Sequence, residues 1–508
     1  MSISIRTENS KRNMLYGLFC QALGTYFSFV NRQIFIILLG KEYLGINGLF
    51  ANILTLLSLT ELGLGNTILF FLYKPVLDQD YAKLRSLLFF SKKLFNYVAI
   101  AVFGMGILIL PLLPLVVDVD MDFKKIAVYY FVYLMNSVLS YFSASESLAI
   151  EACQKNYITN LYRTFCKFIQ NASQIILLLF FHDYLIYLLV QIGCTIFFNI
   201  SIIRKAHKIC PNIYREKGDK LNVEDRNRIR EMIQSTFIYK IGTTVVNYTD
   251  DLLISVIITT VTVGYYSNYK MVEGVVSQLV GVLTKAITAS LGNLNAEGDK
   301  ERSLKTFRIL VFIFHTFTIF CAICMLLCTN NFIFLWIGES YVLEMRVVFA
   351  IVFCFYISNI ITPVWVYRET MGLFRETKHL MMTAAAINLI LSIIMGNLIG
   401  LSGIIVATGL ARLFTTVWYE PRILFKKKFD ENVNSYYCQQ AKYAFQSILS
   451  VIFSYLITRN MPITLFGLTG RVIVILVVVL IVFILGNRKT AEYIYVKDLM
   501  KAFWGKHI

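Results

Sequence analysis

The fold is decided by residues 21–65, which read QALGTYFSFVNRQIFIILLGKEYLGINGLFANILTLLSLTELGLG. Two long apolar stretches meet here at a short turn, and one arginine interrupts the first of them. The polar residues of this first helix fall at helical spacing on one face: Gln21, Thr25, Ser28 and Arg32. Because an arginine facing lipid costs at least about 2.5 kcal/mol at the bilayer centre, we expect Arg32 to face a bundle interior or a wet cavity.

The composition predicts an all-α polytopic membrane protein. The 508 residues are 57% hydrophobic and 16% charged, and the mean hydropathy is +0.64, a balance that excludes a soluble domain of this size. The apolar runs are continuous rather than alternating, which excludes a transmembrane barrel. The net charge is +17, and the Lys and Arg residues that produce it are distributed among the loops in the positive-inside pattern. We therefore expect these charges to face a lipid bilayer and not a nucleic acid.

Fourteen apolar spans are predicted along the chain. Because this number is even, both termini lie on one side, and 37 of the 48 Lys and Arg then lie in the termini, the inner loops and their flanks. This asymmetry predicts that both termini are cytoplasmic, in a multi-pass protein of the bacterial inner membrane. The predicted spans are approximately 14–39, 44–72, 86–116, 125–149, 160–181, 184–203, 232–259, 263–291, 305–328, 343–367, 379–397, 400–421, 441–458 and 463–486.

The largest inner loop separates six spans from the eight that follow it. This division predicts two pseudo-symmetric six-helix lobes plus two C-terminal helices. When the seventh and eighth spans are aligned with the first and second, Gly264 falls on Gly45 and Asp251 falls on Arg32. Six is an even number, so two such repeats run parallel, about an axis along the membrane normal. The predicted domains are an N-terminal lobe (1–203), a cytoplasmic linker (204–231), a C-terminal lobe (232–424), a helix pair (425–486) and a cytoplasmic basic tail (487–508).

Charged side chains recur inside the predicted spans, and each has a structural alternative. Lys270 and Glu273 are three residues apart on a helix and can neutralise each other. Lys285 can extend to the inner surface, whereas Asp250 and Asp251 can tie the two halves together through a base. Several bases in a partly wet, low-dielectric space nevertheless attract an anion, and arginine binds phosphate through two parallel hydrogen bonds.

Signatures of enzymes do not occur in the sequence. There is no phosphate-binding glycine loop, no Gly-x-Ser-x-Gly and no His-Glu-x-x-His. The ten cysteines are scattered, mostly within apolar segments, and are expected to be small packing residues. We therefore expect a protein that is not an enzyme and has no catalytic residues, cofactor or metal.

The motifs that carry a family resemblance lie mainly in the first 85 residues and in 240–290. Residues 39–50 read LGKEYLGINGLF, residues 59–65 read LTELGLG, and residues 263–269 read VGYYSNY as an echo of the first motif. This pattern resembles the polysaccharide transporter family, the Wzx-type flippases of lipid-linked oligosaccharides in the multidrug/oligosaccharidyl-lipid/polysaccharide exporter (MOP) superfamily.

The resemblance implies a two-lobed flippase that moves undecaprenyl-pyrophosphate-linked oligosaccharide from the cytoplasmic to the outer leaflet by alternating access, for export of a surface polysaccharide. It implies a cationic cavity, for which the local candidates are Arg32, Lys240, Lys270 and Lys285. Coupling to protons or sodium ions varies within the superfamily, and the candidate ion-binding residues are Glu61, Asp250, Asp251 and Glu273. A polysaccharide polymerase and chain-length machinery are the candidate protein partners.

Two other functions stay open at this point. A cation-coupled multidrug antiporter of the same superfamily requires a net acidic cavity, whereas the interior charges here are balanced or slightly basic. A membrane-embedded polysaccharide polymerase usually carries a large outer loop, and the predicted outer loops of this chain are short.

Overall fold

The computed structural model describes residues 3–58, 64–153, 155–216, 221–296 and 299–504, and these residues are almost entirely helical, with no strand among them. The chain divides into two compact units, Met1–Gly264 and Tyr265–Ile508. The all-α prediction is confirmed. The predicted lobe boundaries at 203 and 232 stay a prediction, and the first unit also contains the helix of the seventh span.

The first unit contains ten helices and the start of an eleventh. They are α1 (Ile3–Leu39), α2 (Lys41–Leu57), α3 (Leu64–Asp78), α4 (Tyr81–Ile109), α5 (Phe123–Leu139), α6 (Ala144–Ala152), α7 (Asn156–Phe181), α8 (Tyr184–Ile209), α9 (Pro211–Arg215), α10 (Val223–Ile257) and α11 (Thr260–Ala296). In this unit α7 packs against both α1 and α8, and α2 packs against α10.

The second unit contains the rest of α11 and nine further helices. They are α12 (Lys300–Ile337), α13 (Met345–Ile360), α14 (Thr362–Thr370), α15 (Phe374–Ile399), α16 (Leu401–Phe414), α17 (Thr416–Leu424), α18 (Asn434–Thr458), α19 (Leu465–Asn487) and α20 (Ala491–Trp504). Here α16 packs against α13 and α15, and α19 packs against α12 and α18.

Short polar turns end and start these helices. Asp80 accepts a hydrogen bond from the backbone N–H of Lys83 at the start of α4, at 2.9 Å, and Asp183 caps α8 in the same way. Each cap satisfies a backbone donor that the helix itself leaves unpaired. Gly40 and Gly400 have φ of 87° and 66°, so both tight turns use a conformation that glycine adopts without a steric penalty.

Ten stretches of the described residues are long and apolar enough to cross a membrane. The predicted second, seventh, eighth and thirteenth spans are not among them, because α2 and α3 are short and because α10, α11 and α18 carry many polar residues. The count of fourteen spans therefore stays a prediction. Large apolar side chains lie on the outer surface of these helices, as for Phe180 and Leu398, which are each 76% exposed. Such surfaces are stable in lipid and unstable in water.

The starts of α2 and α11 contact each other, and this contact joins the residues that the sequence repeat aligned. A Cβ atom on Gly264 would lie 2.9 Å from the backbone nitrogen of Gly45 and 3.2 Å from the carbonyl oxygen of Lys41. A Cβ on Gly45 would in turn collide with the carbonyl group of Thr260. Lys41 and Thr260 are separated by the same number of residues as the two glycines. The two helix starts therefore meet through a local two-fold arrangement.

Candidate functional site

Five of the eight predicted site residues have described side chains. Arg32 lies on α1, Asp250 and Asp251 on α10, and Lys270 and Glu273 on α11. Glu61 lies outside the described residues. Lys240 and Lys285 lie on the described backbones of α10 and α11, but their side chains lie outside the described part.

Arg32 is half-buried within the first unit. Its guanidinium interacts electrostatically with Tyr187 and Tyr184 of α8 and with Tyr133 of α5. Tyr184 is 1% exposed, and its hydroxyl donates to the side-chain oxygen of Asn47 at 3.2 Å. A phenol is neutral at pH 7, so these three tyrosines place no negative charge beside the arginine.

A buried amide network holds α1 beside α7 and α8. The Asn31 amide donates to the side-chain oxygens of Asn171 and Gln174, both at 3.0 Å, and the Gln174 amide donates to the backbone carbonyl of Tyr187 at 3.0 Å. All three amide side chains are at most 6% exposed. Because Asn31 precedes Arg32, this network fixes the rotation of α1 about its axis and hence the direction of the arginine.

Two adjacent carboxylates are buried on α10. Asp250 is 7% exposed and Asp251 is 8% exposed. The side-chain amide of Asn52, on α2, donates a hydrogen bond to the Asp251 carboxylate. Ionisable side chains at such positions in a membrane are costly, and they mark ion pathways or substrate sites more often than packing positions.

Lys270 and Glu273 form the ion pair that their spacing allows. Their charged atoms are 2.8 Å apart, with the lysine side chain 44% exposed and the glutamate 15% exposed. The ammonium also lies 5.9 Å from the ring centre of Tyr266. The structural alternative for this pair is therefore realised, and a role of Lys270 toward a substrate requires the ammonium to leave Glu273.

Polar side chains on neighbouring helices also bind each other within the first unit. The Thr195 hydroxyl of α8 donates to Asn136 of α5 at 2.7 Å, and the Ser143 hydroxyl donates to Asn199 at 2.7 Å. Asn136 and Ser143 lie seven residues apart, at helical spacing, but one sequence does not reveal that a neighbouring helix carries matching polar groups.

Two charged groups in the second unit were missed or left undecided by the sequence. Arg368 of α14 and Glu420 of α17 form an ion pair of 2.9 Å with exposures of 2% and 1%. Arg368 follows directly after the predicted tenth span, so it was counted as a loop residue. Arg412, which lies inside the twelfth span, donates to the hydroxyl of Ser358.

An apolar groove of about 620 Å³ lies in the second unit between α12, α19 and α20. Phe312, Phe317 and Phe320 line it from α12, and Phe483 lines it from α19. Lys497 and Lys501 of α20 complete the lining. The volume falls in the range of small-molecule sites, about 300–1,000 Å³, and the lining suits a hydrocarbon chain beside a negatively charged group.

Solved structures of known transporters share this fold. The chain is similar to the lipid II flippase MurJ in an inward closed conformation, with a TM-score of 0.69, 14% identity, and coverage of 94% of this chain and 99% of that one. It is also similar to an inward-facing multidrug resistance MATE transporter of the MOP superfamily, with a TM-score of 0.64, 11% identity, and coverage of 80% and 96%. A third similar structure is the MATE transporter DinF-BH in complex with R6G, with a TM-score of 0.59, 14% identity, and coverage of 85% and 97%.

The sequence comparisons add no family assignment. No protein-family model matches the chain, and no curated protein matches it. At 11–14% identity the structural likeness concerns the fold alone. The chain is a multi-pass helical membrane protein with the fold found in MurJ and in the MATE transporters of the MOP superfamily.

Proposed function

We propose that the protein is a flippase that moves undecaprenyl-pyrophosphate-linked oligosaccharide from the cytoplasmic to the outer leaflet by alternating access. The observation that carries this proposal is the extent of the structural match. The likeness to the lipid II flippase takes in 94% of the chain, whereas the two MATE structures cover 80% and 85%. More of this chain is thus accounted for by a transporter of a lipid-linked sugar than by transporters of drugs.

The interior of the first unit supports an anionic head group as cargo. Arg32 is held by the Asn31 network and lies among three phenols. Its planar guanidinium can bind two phosphate oxygens at once, which a lysine cannot do. We propose that Arg32 binds the pyrophosphate. Lys240, Lys270 and Lys285 are further candidates for substrate binding, and the groove between α12, α19 and α20 is a candidate for binding an isoprenoid chain.

The buried carboxylates of α10 support coupling to an ion. We propose that Asp250 and Asp251, with Glu61 and Glu273 as further candidates, bind a proton or sodium ion that drives the return step. The same carboxylates favour the second candidate function, a cation-coupled multidrug antiporter, since buried acids attract cationic drugs. The experiment that tests the proposal must therefore offer both substrates.

The test uses the purified protein in liposomes that contain a fluorescent undecaprenyl-pyrophosphate oligosaccharide. Accessibility of the lipid to an external quencher reports flipping, and a cationic dye with an imposed sodium or proton gradient reports antiport. We expect flipping that is lost in Arg32→Ala and partly kept in Arg32→Lys, because lysine keeps the charge but not the two-point contact.

The matched control is Arg346→Ala. Arg346 is also an arginine of a spanning helix, but it is 65% exposed and pairs with Glu344, so its removal is expected to leave flipping unchanged. Normal flipping by Arg32→Ala at wild-type protein level would remove the arginine from the mechanism. Dye transport without lipid movement would establish the antiporter instead.

A further inference from the structure

Two cysteines that are far apart in the sequence meet at one end of the first unit. Cys153 directly follows α6, and Cys210 stands between α8 and α9. Their Sγ atoms are 3.1 Å apart, although 57 residues separate them in the chain. A disulfide has an S–S length of about 2.04 Å, so a movement of about 1 Å would join them. This contact is not visible in the sequence, because the two residues lie in turns that are far apart along the chain.

The two thiols differ in accessibility. Cys210 is 6% exposed and is buried, whereas Cys153 is partly exposed. Ile150, Ile202 and Ala206, each fully buried, form an apolar cluster on α6 and α8, the two helices that end just before these cysteines. Solvent can thus reach the sulfur of Cys153, whereas the sulfur of Cys210 is buried. An attacking and a resolving cysteine are arranged in this way.

Charged side chains of both signs lie near the pair: Glu151 is two residues before Cys153, and Glu146 interacts electrostatically with Tyr214, as both thiols do. Lys155 interacts electrostatically with both thiols. Nearby, the ring of His207 stacks on Tyr214 at 3.9 Å, and the guanidinium of Arg85 lies 5.2 Å from the same tyrosine ring. Positive charge stabilises a thiolate, which is the form that reacts with oxidants.

Hydrogen bonding between the thiols assigns them different roles. The hydrogen bond from Cys210 lowers the pKa of Cys153 to about 7, although burial acts in the opposite direction. The same hydrogen bond and burial raise the pKa of Cys210 well above its ordinary value. Cys153 is therefore the thiol of the pair that ionises more readily, while Cys210 keeps its proton.

We propose that Cys153 and Cys210 form a peroxide-reactive site that closes to a disulfide. The Cys153 thiolate attacks an oxygen of a hydroperoxide, so that an S–O bond forms, the O–O bond breaks, and the leaving alkoxide or hydroxide takes up a proton. The Cys210 thiol then attacks the sulfenic acid sulfur, the S–O bond breaks, and water leaves with the Cys210 proton. Two thiols and one hydroperoxide thus give one disulfide, one water and one alcohol or second water.

The disulfide would tie the turn after α6 to the turn after α8. Helix α7 begins at Asn156, three residues beyond Cys153, and runs against both α1 and α8. Oxidation would therefore restrain the end of α8 relative to the start of α7. This inference does not depend on the substrate of the protein, since the chemistry involves only the two thiols and the oxidant.

The experiment treats the reduced, purified full-length protein with hydrogen peroxide, blocks the remaining thiols with N-ethylmaleimide, and maps the peptides by mass spectrometry. We expect a linked peptide pair containing Cys153 and Cys210, with a mass two hydrogens below the sum of the free peptides. We expect Cys153 to be oxidised about threefold faster at pH 7 than an ordinary peptide thiol, with the rate rising through pH 7.

Variants separate the two roles. Cys210→Ser is expected to stop at the sulfenic acid, which dimedone traps on Cys153, whereas Cys153→Ser is expected to leave Cys210 reduced. Cys438→Ser removes an exposed cysteine of the second unit and is expected to change nothing. The peptide map of the wild-type protein tests the inference even if a variant fails to fold. The inference is overturned if peroxide leaves both thiols of the wild-type protein open to alkylation, or if oxidation stays at Cys438.

Discussion

At the scale of single residues, the charged groups of this protein fall into two kinds. Arg368 and Glu420 are almost fully buried and form an ion pair with each other. Arg32, in contrast, is half-buried and lies near three neutral phenols. We assign a structural role to the buried ion pair, because each of its charges is compensated by the other. Arg32 lies close to the phenols of α5 and α8, and its planar guanidinium can bind two phosphate oxygens at once, so we propose that it binds the substrate.

The buried pair makes a prediction about stability. Arg368→Ala leaves Glu420 buried without its partner and is expected to lower the free energy of unfolding by about 3–5 kcal/mol. The matched change is Arg308→Ala, which removes an ion pair with Glu431 whose side chains are 39% and 46% exposed, and is expected to cost about 0.2–1 kcal/mol. Thermal unfolding of both variants in detergent measures the difference. Equal melting temperatures would contradict the structural role of the pair.

The residues around Arg32 also mark the limit of what the sequence predicted. The polar stripe on α1 and the inward direction of Arg32 follow from helical spacing and from the cost of exposing charge to lipid. Tyr133, Tyr184 and Tyr187 could not be foreseen as its neighbours, because they come from α5 and α8 and belong to contacts between distant parts of the chain. The same holds for Cys153 and Cys210.

At the scale of elements, the most constrained contact is the one between the starts of α2 and α11. Gly45 and Gly264 let two helix backbones approach closer than any side chain allows. The repeat alignment anticipated that these residues are equivalent, since both follow an apolar helix and a short turn. It did not anticipate that they touch, because equivalence in a repeat says nothing about distance.

This contact predicts a strong effect of side-chain size. Gly45→Leu is expected to separate α2 from α11 and to destabilise the protein by at least about 1–3 kcal/mol, the usual cost of overpacking. The control is Gly104→Leu on α4, where a Cβ atom would meet nothing within 4 Å. Melting temperatures of the two variants test the prediction. A Gly45→Leu protein as stable as the control would mean that the helices separate without cost.

At the scale of the whole molecule, composition and the apolar runs sufficed to predict a helical, multi-spanning protein. Ten apolar spans of the described residues meet the requirements of length and hydropathy. The polar helices α10 and α11 were predicted as spans from their apolar runs, and their crossing of the membrane stays a prediction. The orientation was derived from the distribution of Lys and Arg, and it stays a prediction.

Single introduced cysteines test the orientation. We expect a membrane-impermeant maleimide to label Asp120→Cys and Ser340→Cys in intact cells, because both loops are predicted to lie outside. Glu216→Cys, in the predicted inner linker, should react only after the cells are opened. The wild-type protein, whose exposed Cys438 is predicted to lie inside, measures the background. Labelling of position 216 in intact cells would invert the topology.

The meeting of the two helix starts has a consequence for how the chain can evolve. Across the contact, Gly264 faces Lys41 and Gly45 while Gly45 faces Thr260, the reciprocal pattern that identical subunits form on a dimer axis. In most packed pairs, a residue that grows can be accommodated by a partner that shrinks. Here the first atoms that a Cβ would meet are backbone atoms, those of Thr260 for Gly45 and those of Gly45 for Gly264, and no substitution of the partner removes them. The two codons are therefore expected to behave as a single site under selection, with no compensating change open to either.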